Sequence, residues 1–108
     1  MLDIYLTMEA LSHPKINSIS LEQVLKALGD PVRLSIVKQL LKVPNEELAC
    51  GVFEYQVTKA TFSHHMKILR DSGVIRTREE GTRRMTSLRS DCLRKRFPGL
   101  VEMIQSSK

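Results

Sequence analysis

The sequence contains no tryptophan, three Phe and two Tyr. Its core must therefore be mainly aliphatic, and so few rings argue against a stacking platform for single-stranded nucleic acid. It has only two cysteines, Cys50 and Cys92, far apart in the chain. Two thiols make no disulfide framework, and a reducing compartment keeps them free. No apolar run approaches the roughly 20 residues that span a bilayer. Met1 to Leu11 lacks the basic start and long apolar centre of a signal peptide, so a cytoplasmic protein without membrane association is expected. There is no phosphate loop, no activated nucleophile and no pair of carboxylates in an apolar setting. Ser63 and His64 adjoin, but no third group orients the histidine, so catalysis is not expected.

What is present suits one ordinary domain. Hydrophobic residues make up 42% of 108, enough for a packed core. Net charge is +5, and its placement is uneven. Lys59 to Arg96 carries eleven Lys/Arg against four Asp/Glu, a net +7. The remainder carries six against eight, a net −2. A basic excess confined to one continuous stretch is the footprint of a polyanion-binding surface.

Local signals divide the chain. Residues 1–19 read as a poorly patterned leader, with His13-Pro14 breaking any long helix and Met8 as an alternative start. Leu21, Val24, Leu25 and Leu28 form a helical stripe, with Ser20 as N-cap and Gly29 as stop. Asp30 caps a second helix with Pro31 at its first position; Leu34, Val37, Leu40 and Leu41 mark its buried side. Asn45 to Tyr55 allows a short helix that Gly51 weakens. Thr58 caps a third helix, which Phe62, Met66 and Leu69 anchor and Gly73 ends. Val74 to Glu79 and Arg83 to Leu88 read as a hairpin turning at Glu80-Gly81-Thr82. Asp91 to Phe97 and Leu100 to Gln105 complete the chain as short helices.

A short helix, a turn and a second helix rich in small polar and basic groups outline a helix-turn-helix. The second helix matches the width of a major groove. Lys59, Thr61, Ser63 and His64, near its N-terminal end, have the short hydrogen-bonding side chains that base edges require. Lys67 and Arg70, further along, are expected on phosphates. Arg76, Arg78, Arg83 and Arg84 cluster round the turn at Gly81 and read as a wing against adjacent backbone or minor groove.

Three stretches resemble a known family. Leu25-Lys26-Ala27-Leu28-Gly29-Asp30-Pro31-Val32-Arg33-Leu34-Ser35-Ile36-Val37 resembles the signature of the ArsR-type (arsenic-repressor) winged-helix regulators. Thr58 to Gly73 is similar to that family's recognition helix, and Gly81-Thr82-Arg83-Arg84 to its wing tip. Together these span Ser20 to Leu88. The resemblance implies a mainly α winged helix-turn-helix domain over residues 20–108, with a small β-hairpin. It also implies a bacterial homodimer that binds palindromic double-stranded DNA and represses transcription. The first and last helices would build the dimer interface, which makes Leu21, Val24, Leu25, Leu100, Val101 and Ile104 interface candidates. The same six positions suit an intrachain core.

The family's metal sites find no match. Its thiolate site uses a Cys-x-Cys in the helix before the recognition helix, where this chain has Cys50 alone. Its other site draws Asp, His and Glu from the C-terminal helix; here Asp91 and Glu102 have no histidine after His65. His64 and His65 point about 100° apart on a helix and do not chelate. His64 is expected toward DNA, and His65 beside Phe62 and Met66 with a local hydrogen bond. No metal or other cofactor is expected, and no small-molecule effector is legible. Thiol control through Cys50 and Cys92 would need their Cα atoms within about 7 Å; the basic Arg94, Lys95 and Arg96 beside Cys92 favour a thiolate. A winged-helix module that docks an acidic protein instead of DNA is the alternative of a different class.

Overall fold

Three side-chain caps start the three longest helices of the computed structural model, which describes residues 13–107. Ser20 Oγ accepts from Gln23 N at 3.1 Å and opens α1, Leu21–Leu28. Asp30 Oδ1 accepts from Val32 N and Arg33 N at 2.8 and 3.2 Å and opens α2, Pro31–Leu41. Pro31 sits where its missing N–H would have had no helical partner. Thr58 Oγ1 accepts from Thr61 N at 3.1 Å and opens α3, Lys59–Asp71. The apolar stripes then decide which faces turn inward. Val24, Ala27 and Leu28 of α1, Ile36, Val37 and Leu40 of α2, and Phe62, Met66 and Leu69 of α3 meet in one largely aliphatic core.

A three-stranded antiparallel sheet stands beside the helices, in the order β1-β3-β2. β2 is Ile75–Glu80 and β3 is Arg83–Leu88, turning at Gly81 with φ of +63°. Ile75, Thr77, Thr86 and Leu88 are buried on its inner face. α4, Ser90–Arg96, and α5, Leu100–Ser106, close the chain and bury Leu93, Val101 and Ile104. This is the winged helix-turn-helix class expected from the pattern.

The weakly patterned segment from Asn45 to Tyr55 departs from expectation. It forms no α-helix. A turn at Pro44–Glu46, with Asn45 and Glu46 at φ of 59° and 53°, leads into a strand, β1, Glu47–Ala49. Leu48 pairs with Thr86 of β3, and a single 3₁₀ turn, Cys50–Val52, follows. Strand β1 exists because β3 offers it backbone partners, a relation no local pattern encodes. Gln39 then clamps the next stretch: its amide accepts from Glu54 N and donates to Glu54 O, both at 2.9 Å. Tyr55 stacks on Phe62 with ring centroids 3.9 Å apart, so the linker is held against α3 itself.

The segment expected as a leader is tied to the domain from His13 onward. Ile19 is 1% exposed, and its carbonyl accepts from Arg96. Arg89 donates to the Pro14 carbonyl at 2.8 Å. His13 Nε2 accepts from Thr77 N of the edge strand β2 at 3.0 Å. The alternative start at Met8 lies outside the described residues.

Candidate nucleic-acid interface

Helix α3 presents Lys59, Thr61, Ser63, His64 and Lys67 to solvent. Lys59, Ser63 and Lys67 follow at intervals of four and share one face; His64 lies about 100° round the helix from Ser63, with Thr61, three residues before it, at the far margin of the exposed arc. The cap leaves Thr61 a free role. Its hydroxyl oxygen accepts from Thr58 Oγ1 at 2.9 Å, so its own O–H is available to a ligand. Lys67 is held by Asp71 at 2.7 Å in an exposed pair. Such a pair is weak enough to yield to a phosphate.

Arg70 does not join this face. It is 8% exposed, and its Nε has no hydrogen-bond partner among the described residues. It lies four residues after Met66, on the buried side of the helix. Burial lowers its pKa, Asp71 opposes this, Arg84 adds to it and Cys50 opposes it. Asp71 is turned toward Lys67, so the guanidinium has no carboxylate of its own among the described residues.

His65 also points inward, as expected, but its partner is distant in sequence. Arg33 Nη1 lies 3.1 Å from His65 Nδ1, 32 residues away. The same guanidinium donates from Nε to the Ala27 carbonyl at 2.6 Å and from Nη2 to the Lys26 carbonyl at 3.3 Å. Asp30 Oδ1, already capping α2, stands 4.0 Å from His65 Nδ1. Burial would raise the Asp30 pKa, but the amides of Arg33 and Val32, the nearby His65 and the charge of Arg33 together lower it. Asp30 and Arg33 thus set α1, α2 and α3 at fixed angles. The sequence displayed the cap, but not the brace.

The wing arginines surround Gly81 as expected, yet three of the four are paired. Arg78 bonds Glu47 and Glu80, Arg83 lies 3.7 Å from Glu80, and Arg84 lies 3.5 Å from Glu79. Glu47 comes from β1, so its part could not be seen without the third strand. Arg76 is exposed.

Comparison with known proteins identifies this architecture. A family model described as a helix-turn-helix domain matches residues 28–78, which hold α2, α3 and most of β2. The HTH-type transcriptional regulator YceK of Bacillus subtilis is 37% identical over 84 residues, covering 76% of this chain and 83% of YceK. The arsenical resistance operon repressor of Staphylococcus xylosus is 40% identical over 74 residues, covering 68% of this chain and 69% of the repressor. The chain belongs to the ArsR family of helix-turn-helix transcriptional regulators. A solved structure of an ArsR family transcriptional regulator superposes with a TM-score of 0.62 at 23% identity, over 82% of this chain and 98% of that one. That likeness speaks for the fold. The ArsR family consists of DNA-binding transcriptional regulators rather than enzymes.

In this ArsR-family regulator Cys50 and Cys92 are separate free thiols. Cys50 Sγ is 3.2 Å from Thr86 Oγ1, and Cys92 Sγ accepts from Arg89 at 3.7 Å. Glu102 is paired with Arg94 at 2.9 Å. Among the described residues no three His, Cys, Asp or Glu side chains converge as metal ligands. No helix among them is long and apolar enough to cross a membrane. The six apolar interface candidates divide. Val24, Val101 and Ile104 are buried inside the protomer, so they hold its own core rather than a contact surface. Leu100 is half-buried, whereas Leu21 and Leu25 are 49% and 51% exposed on α1.

Sequence reasoning also missed His13, whose bond to β2 makes a pH-sensitive tie. Burial, and then the charges of Arg76, Arg89 and Arg70, hold its pKa below the ordinary 6.5. The unfolded chain therefore takes up this proton first as pH falls. The stabilisation is complete above about 6.5 and is lost as pH drops through the lower folded value. Asp30, Glu80 and Glu102 are also depressed, from ordinary values of 3.8 and 4.5, and so act at lower pH. His13→Gln keeps an acceptor for Thr77 N but cannot titrate. Urea denaturation at pH 7 and pH 5 should show a smaller loss of stability in the variant than in the wild type. Equal losses would remove His13 from the pH response.

Proposed function

We propose that this chain is a sequence-specific double-stranded DNA-binding repressor that acts as a homodimer on a palindromic operator. The observation that carries this reading is the exposed side of α3, where Lys59, Thr61, Ser63, His64 and Lys67 are all open to solvent, on the helix that leads directly into the arginine wing. Lys59, Thr61, Ser63 and His64 are assigned to base edges and Lys67 to phosphate. Arg76, Arg83 and Arg84 are assigned to the flanking backbone, and Arg78 contributes from its place in the wing. The half-exposed Leu21 and Leu25 on α1 supply an apolar patch for a second copy. The Staphylococcus xylosus relative is named as a repressor of an arsenical resistance operon, which supports the sign of regulation.

The test is binding of the full chain to duplex DNA, random and then selected, over a range of salt. Arg83→Ala with Arg84→Ala should weaken binding to all duplexes and flatten the salt slope by up to about two. Ser63→Ala or His64→Ala should instead erode preference for the selected site, by about tenfold, while binding to random duplex changes little. The selected site should be palindromic and bound by two copies. No salt-dependent duplex binding would sink the reading in favour of a protein-docking module.

A further inference from the structure

The wing contains two kinds of ion pair. Arg78 is saturated. Its Nε and Nη2 fork onto Glu47 at 3.2 and 2.9 Å, and its Nη1 donates to Glu80 at 2.7 Å. A bidentate fork is among the strong forms of this contact. These bonds, to Glu47 first and then to Glu80, raise the pKa of Arg78. Because Glu47 lies on β1, Arg78 ties the hairpin to the third strand.

The other pairs are loose. Arg84 stands 3.5 Å from Glu79, its cross-strand partner, and Arg83 stands 3.7 Å from Glu80. Both distances are long for an N–H···O bond. The four side chains are 39–60% exposed, so water and salt screen their attraction. An approaching phosphate offers the same anionic oxygen chemistry and can displace either carboxylate.

We propose that Glu79 and Glu80 compete internally with DNA phosphate for Arg84 and Arg83, and that this exchange sets the affinity and the salt response of the wing. The proposal rests on the DNA-binding reading above. When Arg84 leaves Glu79 for a phosphate, that phosphate sheds its condensed cation. The bared Glu79 takes one up. The two movements offset each other, so a paired arginine adds less salt dependence than a bare one. Arg78 keeps its fork on Glu47 and acts by position.

Fluorescence anisotropy of the full chain on a random duplex at several salt concentrations tests this with Glu79→Gln, alone and with Arg84→Ala. In the wild-type background, Glu79→Gln should tighten low-salt binding about three- to fivefold and steepen the salt slope by up to about one. In the Arg84→Ala background the same change should have no effect, because the competition has lost its object. An equal gain in both backgrounds would mean general repulsion between Glu79 and DNA and would overturn the proposal. No gain in either overturns it as well. A wild type without salt-dependent duplex binding fails earlier, and takes the DNA-binding reading with it.

Discussion

Replacing Gly73 by alanine should lower stability by about 2–4 kcal/mol, a fall in Tm of about 10–20 °C. Two costs combine. Gly73 has a φ of +86°, where an L side chain is strained by about 1 kcal/mol. A Cβ there would also stand 2.5 Å from both Cδ1 and Cγ1 of Ile19, far inside normal contact. Ile19 is 1% exposed and so has little room to move. The position joins α3 to β2, the proposed recognition helix to the wing. Adding Ile19→Ala removes the clash but leaves the strain. Thermal unfolding of both single variants and the double should therefore show strong non-additivity, with Gly73→Ala costing only about 1 kcal/mol in the Ile19→Ala background. Additive losses would show that Ile19 is not the obstacle.

Replacing Arg33 by methionine should cost about 2–3 kcal/mol, because one charged group holds three acceptors at once. Its fork ties the Ala27 and Lys26 carbonyls at the end of α1 to His65 on α3. Methionine preserves most of the apolar stem, so the loss isolates the guanidinium. Arg33→Lys should rescue little, since an ammonium cannot spread over three acceptors in a planar fork. Duplex affinity should also drop at temperatures where the variant remains folded, as α3 loses its brace against α1 and α2. A methionine variant within about 0.5 kcal/mol of wild type would show that packing alone sets the helix angles.

Much of the fold is legible because its signals are short-ranged. Ser20, Asp30 and Thr58 cap the helices that follow them, and their partners lie two or three residues away. Gly73 and Gly81 both adopt the positive φ that their turns demand. Stripes of period 3.6 identify the inner face of α3, and hence the polar face opposite. The inward direction of Arg70 is itself a local signal, since it follows Met66 by four residues.

The amino-acid sequence by itself determined the helices, the hairpin, the concentration of basic charge and the side chains α3 turns outward. Each of these depends on chemistry within one or two turns of chain. The tertiary structure alone decided which cations are free and which are engaged. It paired Arg78 with Glu47 across 31 residues, Arg33 with His65 across 32 and His13 with Thr77 across 64. It also made Glu47–Ala49 a strand and drew Val101 and Ile104 into the protomer's core. The physical reason is the same in each case. A cap or a stripe is complete in local backbone geometry, whereas an ion pair, a ladder or a core contact exists only once distant segments have been brought together.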